Sequence, residues 1–191
     1  MGIEFELKYR ATPEILAQVA QQTPSEGQRF HMETVYYDTP DRSLSKKHCT
    51  LRRRMENATS VCTLKMPAPE GRAEFELECG SIHDAIPELC KLSGLEELLT
   101  CAHSLQEVCG ARFDRLAITV TLPECTVELA LDQGVLIGGG QEVPLCELEV
   151  ELKSGSREAA TMYAAQLALA YGLVPESQSK FRRASLLAGG N

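Results

Sequence analysis

Apolar and charged side chains alternate with a period of two along several short stretches of this chain, the spacing of strands whose two faces meet different surroundings. In Ile3-Glu4-Phe5-Glu6-Leu7-Lys8-Tyr9, the residues Glu4, Glu6 and Lys8 share one parity and the apolar residues the other. Near the C-terminus Glu147, Glu149, Glu151 and Lys153 again share one parity, with Leu148, Val150 and Leu152 opposite. Arg72-Ala-Glu74-Phe-Glu76-Leu-Glu78 repeats the arrangement, Arg52 and Arg54 share a face, and Thr63-Leu64-Lys65 adds a further cation. Two carboxylates on one side of a strand lie about 6–7 Å apart and repel unless something positive sits between them. Five such strands, carrying acids and bases in quantity, predict a sheet curled so that its charged faces meet across a wet cavity.

Strands are predicted over 3–9, 30–38, 49–56, 60–66, 73–79, 112–122, 125–133 and 144–153. Helical patterns fall over 13–22, opened by Thr12 and Pro13, over 84–110 with a break at Ser93-Gly94, over 157–171 between Ser156 and Gly172, and over 178–187. Short turns between strands argue for an α+β fold, a closed antiparallel sheet with helices packed outside.

Composition narrows the function classes. A chain of 191 residues, 43% hydrophobic, suits a single domain over 1–191 with a sizeable core. A formal charge of −8 disfavours general binding to nucleic acid or to an anionic membrane, while leaving room for a local cationic pocket. No stretch approaches the roughly 20 apolar residues of a membrane helix, and the N-terminus reads as a charged strand, not a signal peptide, so a cytoplasmic location is expected. The eight cysteines include no C-x-x-C pair and several occupy apolar positions, which reads as reduced core thiols. His31, His48, His83 and His103 share no spacing that would make them a ligand set. Paired carboxylates are the hard oxygen donors that Mg²⁺ or Mn²⁺ prefers.

The order of these motifs is itself informative. Glu-x-Glu-x-Lys at 4–8, Tyr36-Tyr37-Asp38-Thr39-Pro40, Leu51-Arg52-Arg53-Arg54, Thr63-Leu64-Lys65, Arg72-x-Glu74-x-Glu76, Glu128-Leu-Ala-Leu-Asp132, the Glu147/Glu149/Glu151 strand and Ser179-Lys180 follow one another as in the CYTH family, the triphosphate tunnel metalloenzymes. The chain resembles that family over nearly its whole length, and its bacterial inorganic triphosphatase branch in particular.

That resemblance implies an eight-stranded antiparallel tunnel binding a triphosphate with Mg²⁺ or Mn²⁺. It assigns metal binding to Glu4, Glu6, Glu147 and Glu149, with Asp132 completing the site, and phosphate binding to Lys8, Arg52, Arg54, Lys65, Arg115 and Lys180. Glu74 and Glu76, which face inward by parity, are with Lys65 the catalytic candidates. Arg53 is expected to point outward, Glu151 to lie at a mouth, and Arg112 to have a weaker claim than Arg115. The expected reaction is metal-assisted hydrolysis of a small-molecule triphosphate, tripolyphosphate first, without a covalent nucleophile. A class IV adenylyl cyclase, a thiamine triphosphatase and a non-catalytic polyphosphate- or nucleotide-binding module are the other readings. Tyr36-Tyr37-Asp38-Thr39-Pro40 stands where cyclases of the family tend to show a histidine-bearing segment.

Overall fold

The computed structural model describes residues 2–69 and 71–189. Its strands are β1 (Gly2–Glu4), β2 (Glu6–Arg10), β3 (Gly27–Asp38), β4 (Thr50–Glu56), β5 (Thr59–Ala68), β6 (Gly71–Glu78), β7 (Gln106–Thr121), β8 (Cys125–Gly138), β9 (Gln141–Gly155) and β10 (Val174–Pro175). The helices are α1 (Pro13–Gln22), α2 (Ser43–Lys46), α3 (Ile82–Ser93), α4 (Glu97–Cys101), α5 (Arg157–Tyr171) and α6 (Lys180–Leu187). All the ladders are antiparallel and join into one sheet in the order β1-β6-β5-β4-β3-β7-β8-β9-β2-β10.

This corrects the closed eight-stranded barrel expected from the sequence. The ladder is a ten-stranded open order, and the cause is the N-terminal segment. It breaks at Phe5: β1 pairs with β6 through Glu4↔Arg72, while β2 pairs with β9 through Glu6↔Glu151 and Lys8↔Glu149. The Phe5 carbonyl accepts from the Leu152 N–H. A single short segment thus serves both flanks of a strongly curled sheet, and neither β1 nor β2 by itself joins β6 to β9.

Two apolar layers cover the outer face, as the alternation requires. Leu51, Cys62, Leu64, Ala73 and Phe75 of β4–β6 pack against Ala85, Ile86, Leu89 and Leu98 of α3 and α4. Val127, Leu129, Leu148 and Val150 of β8 and β9 pack against Leu16 and Val19 of α1 and Ala160 and Ala164 of α5. A third cluster lies on the concave side, where Met32, Tyr36, Phe113 and Leu136 meet Ala184 of α6. Burying each large aliphatic side chain contributes about 1.5–3 kcal/mol, so three clusters suffice to hold charged rows facing inward.

Local rules account for the helix ends. Thr12, Ser81, Ser156 and Ser179 cap α1, α3, α5 and α6 by accepting from backbone N–H groups. Gly94 (φ 72°) and Gly172 (φ 64°) end α3 and α5 in the left-handed conformation. The helical reading of 84–110 is corrected at its C-terminal end: residues 106–110 belong to β7, where Gly110 lies opposite Val35 of β3. Partner strands override the local pattern there. Helix α2 escaped the sequence reading because it is nucleated by a side chain: Asp38 accepts from the Leu44 and Ser45 N–H groups at 3.0 Å each.

Candidate active site

The inward rows of the sheet line a cavity of about 1270 Å³. Along β4 the even positions Thr50, Arg52, Arg54 and Glu56 face it, and β3 presents Met32 and Tyr36 from the neighbouring strand. Arg53 is outside the lining, donating from Nε to Ser60 Oγ at 3.0 Å, and Arg112 is exposed, donating to Glu142 at 3.2 Å. Arg53 thus points away from the cavity, and of Arg112 and Arg115 it is Arg115 that lines it.

Three carboxylates converge at one wall, where Glu149 lines the cavity and Asp132 and Glu147 lie behind it. Asp132 and Glu147 are fully buried, Glu149 is 8% exposed, and one oxygen from each lies within 4.8 Å of the others. Register brings them together: Asp132 of β8 lies opposite Glu147 of β9, and Glu149 follows two residues later on the same face. Lys180 Nζ donates to Glu149 Oε1 at 2.8 Å, lies 2.8 Å from Asp132 Oδ2 and also bonds Glu147. Arg115 forms a fork with Asp132, Nε and Nη2 each donating at 2.7 Å, and Nη2 also reaches Glu149 at 2.8 Å. Arg183 completes the cluster by donating to Glu147.

The protonation preferences follow from this geometry. Burial pushes the Glu147 carboxyl above its ordinary range, aided by the neighbouring charge of Glu149 and opposed by Lys180 and Arg183. At Glu149 burial acts in the same upward direction, yet Lys180 and Arg115 outweigh it and hold this carboxyl well below the usual range. Lys180 and Arg115 are likewise held firmly cationic against burial, Lys180 by Asp132, Glu149 and Glu147, Arg115 by Asp132 and Glu149.

Across the cavity the cations are less fully matched. Lys65 Nζ donates to Glu4 at 2.7 Å and lies 3.1 Å from Glu74. Arg52 Nη2 stands 3.5 Å from both Glu74 and Glu76, and its Nε is buried without a partner. Lys8 lies instead on the side of the trio, opposite Glu149 in the β2–β9 register, and its Nζ donates to Glu6 at 2.8 Å. Arg54 is the extreme case. Its Nε donates to the Thr34 hydroxyl at 3.1 Å, its one ion-pair partner among the described residues, Glu56, is 3.8 Å away, and the charges of Arg52 and Arg115 act on it more strongly than that of Asp132. Burial first, and then those two guanidinium groups, bring its pKa down to about 10. The Phe113 ring lies under three cations at once, with centroid distances of 5.9 Å to Arg54, 5.7 Å to Arg115 and 5.2 Å to Lys180.

Of the residues singled out in the sequence, the structure puts Asp132, Glu147, Glu149, Arg115 and Lys180 in one buried network and Glu4, Lys65, Glu74, Glu76 and Arg52 in another. Glu4 and Glu6 stand on the cavity wall with Lys65 and Lys8, apart from the carboxylate trio. Glu151 sits with Glu128 and Lys153, its Oε1 2.9 Å from Lys153 Nζ. His48 lines the cavity, and His31 pairs on the surface with Asp114. Arg183 was missed. The available signal was its spacing of three from Lys180, which places both on one face of a helix.

A family model described as the CYTH domain matches residues 2–185. The chain belongs to the CYTH-domain family. This CYTH protein is 31% identical over 194 residues to an inorganic triphosphatase of Haemophilus influenzae, an alignment that takes in 96% of the chain and 54% of the relative. The chain thus spans about half the length of that curated relative. Among solved structures, a Hippeastrum protein described as a putative adenylyl cyclase with a dominant triphosphatase activity superposes with a TM-score of 0.70 at 17% identity, covering 99% of this chain and 97% of the other. A putative adenylate cyclase of Bacillus halodurans superposes with a TM-score of 0.67 at 19% identity, covering 95% and 96%. At these identities the two likenesses establish the fold. Among the described residues no helix is long and apolar enough to cross a membrane.

Proposed function

We propose that this CYTH protein hydrolyses the phosphoanhydride bond of a small triphosphate, tripolyphosphate first, to pyrophosphate and phosphate, with Mg²⁺ or Mn²⁺. The observation that carries the reading is Arg54: a buried guanidinium crowded by Arg52 and Arg115, with its pKa lowered to about 10, is short of negative charge. A bound polyanion supplies it. The Haemophilus relative, an inorganic triphosphatase by name, supports the same reading.

The trio Asp132, Glu147 and Glu149 fits a small hard cation, because three carboxylate oxygens within 4.8 Å of one another are the donors such ions prefer. An ion held there by Asp132, Glu147 and Glu149, in place of the Lys180 ammonium that now meets all three, would supply charge neutralisation beside the cavity. The remaining work falls to the chain. Arg52 and Arg54 neutralise the non-bridging oxygens by forked hydrogen bonds, Arg115, whose Nε and Nη2 already serve Asp132 and Glu149, adds nearby positive charge, Lys8 and Lys65 add point charges, and Lys180 and Arg183 hold the carboxylates in place. Glu4 and Glu6 fix the two lysine ammonium groups. Glu74 and Glu76 orient the attacking water from the side where they already meet Arg52 and Lys65. Water adds to the terminal phosphorus, the anhydride P–O bond breaks, and pyrophosphate leaves into a cationic surround that favours its charge.

Cys49, the cysteine in the cavity lining, is a poor nucleophile, since burial pushes its thiol above the ordinary range. The test is phosphate release from tripolyphosphate, thiamine triphosphate and ATP, each with Mg²⁺ and with Mn²⁺. Orthophosphate and pyrophosphate from tripolyphosphate are expected, and ADP from a poorer ATP reaction. Cyclic AMP with pyrophosphate as the main products of ATP would replace this reading with a cyclase.

A further inference from the structure

The sheet has a second opening, on its flank. Strand β3 runs on past the end of β4, since its pairing with β4 begins at Met32↔Glu56 while its pairing with β7 continues to Gly27↔Ile118. Where the chain turns at Asn57 between β4 and β5, a notch is left beside β3. The notch holds a cavity of about 340 Å³, lined by Arg29, Phe30, His31, Asn57, Asp114 and Arg115. Phe30 and Arg115 lie opposite each other in the β3–β7 register and line the main cavity as well, which makes the notch a side window onto the phosphate grip. Arg54 in the grip and Arg115 at the window stand over the same Phe113 ring, at 5.9 and 5.7 Å from its centroid. A nucleoside joined to a gripped triphosphate is long enough to reach from one to the other.

The window offers one flat apolar surface, the half-buried ring of Phe30, and a set of unfilled hydrogen-bonding groups. Asn57 Oδ1 accepts from the His31 N–H at 2.8 Å, so its Nδ2 hydrogens are held beside the cavity, with no partner among the described residues. His31 Nδ1 lies 2.8 Å from Asp114 Oδ1, which fixes that carboxylate by one oxygen and leaves Oδ2 open. Arg29 is exposed, and among the described residues its guanidinium forms neither a hydrogen bond nor an ion pair. None of these three groups has a part in the grip on the phosphates.

We propose that this window is a subsite for the guanine base of a guanosine triphosphate whose phosphates occupy the grip. The inference rests on the triphosphate reading above and adds to it the organic group that the chain prefers. A purine ring stacks on Phe30. Guanine then sets its adjacent N1–H and N2–H donors against the Asp114 carboxylate, and its O6 and N7 acceptors against the donors of Asn57 and Arg29. Adenine reverses the decisive contacts, because its N1 is an acceptor facing a carboxylate and its N6 group is a donor facing donors. A pyrimidine offers a smaller stacking face.

The double variant Asn57→Asp/Asp114→Asn exchanges the two polar ends of the subsite at constant net charge. The introduced aspartate keeps an oxygen for the His31 N–H and tolerates the left-handed backbone of the turn (φ 54°). Affinities for GTP, ATP and tripolyphosphate are measured by calorimetry in EDTA, so that no turnover intervenes. The wild type is expected to bind GTP about tenfold more tightly than ATP, and the variant to lose about tenfold for GTP with tripolyphosphate little changed, the scale of one charge-assisted hydrogen bond. Phe30→Leu, which keeps an apolar side chain in place, is expected to weaken GTP and ATP alike and to spare tripolyphosphate. GTP bound no more tightly than ATP by the wild type, or GTP and tripolyphosphate weakened equally in the variants, overturns the subsite and leaves the triphosphate grip standing. Failure of the wild type to bind tripolyphosphate overturns the grip, and the subsite with it.

Discussion

Arg54 and Arg53 are neighbours in sequence, yet the strand sends one into a buried, cation-crowded site and the other to Ser60 on the outer face. Arg54→Ala is expected to lower kcat/KM for tripolyphosphate by about 10–1000-fold, the range for losing one preorganised charge-stabilising donor, whereas Arg53→Ala should leave it nearly unchanged. Equal losses would mean that the register of β4 is wrong. The pH dependence has a definite sign. Because the fold lowers the Arg54 pKa from 12.5 to about 10, holding the charge costs stability below that value, and the cost fades as pH rises past it. A bound anion offsets this cost, so the thermal shift produced by tripolyphosphate should shrink as pH rises through about 10. Arg54→Gln should remove that component of the titration.

At the scale of the element, α6 matters because it carries Lys180 and Arg183 to the buried carboxylates. Its approach depends on Gly138 in the β8–β9 hairpin, where a Cβ would lie 2.2 Å from the Ala184 carbonyl oxygen. Gly138→Ala must therefore displace backbone, and a loss of about 1–3 kcal/mol is expected, read as a lower midpoint in urea together with a fall in turnover. Lys180→Met tests the other end of the contact. Removing one partner of a buried ion pair costs about 3–5 kcal/mol, and adding Mn²⁺ should recover part of the lost Tm by occupying the carboxylate trio. A variant whose Tm is indifferent to Mn²⁺ would argue against that trio as the metal site. The same pair shapes the pH profile. The lowered Glu149 contributes stability above the ordinary glutamate range that is lost on acidification, and the raised Lys180 contributes stability below the ordinary lysine range that is lost only at strongly alkaline pH. Urea unfolding measured across pH should show a plateau between those limits that narrows in Lys180→Met.

For the whole molecule, a formal charge of −8 and a cavity rich in cations divide the labour of recognition. On the proposed reading, an acidic exterior would oppose bulk polyanions while the cavity admits a small triphosphate, selection by shape acting on charge. Chelation separates fold from function at this scale. EDTA should abolish phosphate release from tripolyphosphate while leaving the circular dichroism spectrum unchanged, because the three apolar clusters and the ladders need no ion to form. Loss of the spectrum together with activity would mean that the metal is part of the fold.

Period-two alternation was enough to say which side chains share a face, since a strand has no other periodicity. It placed Glu4, Glu6, Lys8, Arg52, Arg54, Lys65, Glu74, Glu76, Glu147 and Glu149 toward a common interior, and the structure lines one cavity with nearly all of them. Helix caps were equally legible, because Thr12, Ser156 and Gly172 act on residues only a few positions away. Which charged groups meet was decided by tertiary structure alone. The break at Phe5, which leaves the sheet open in its ladder order and sends Glu4 to Lys65 while Lys8 faces Glu149, depends on two strands more than sixty residues distant in the chain. The union of Asp132, Glu147 and Glu149 beneath Lys180 and Arg183 required the β8–β9 register and the docking of α6 at Gly138. Local sequence sets the direction of a side chain, but a partner across the cavity is chosen by the curl of the sheet and the packing of its clusters, which no short window contains.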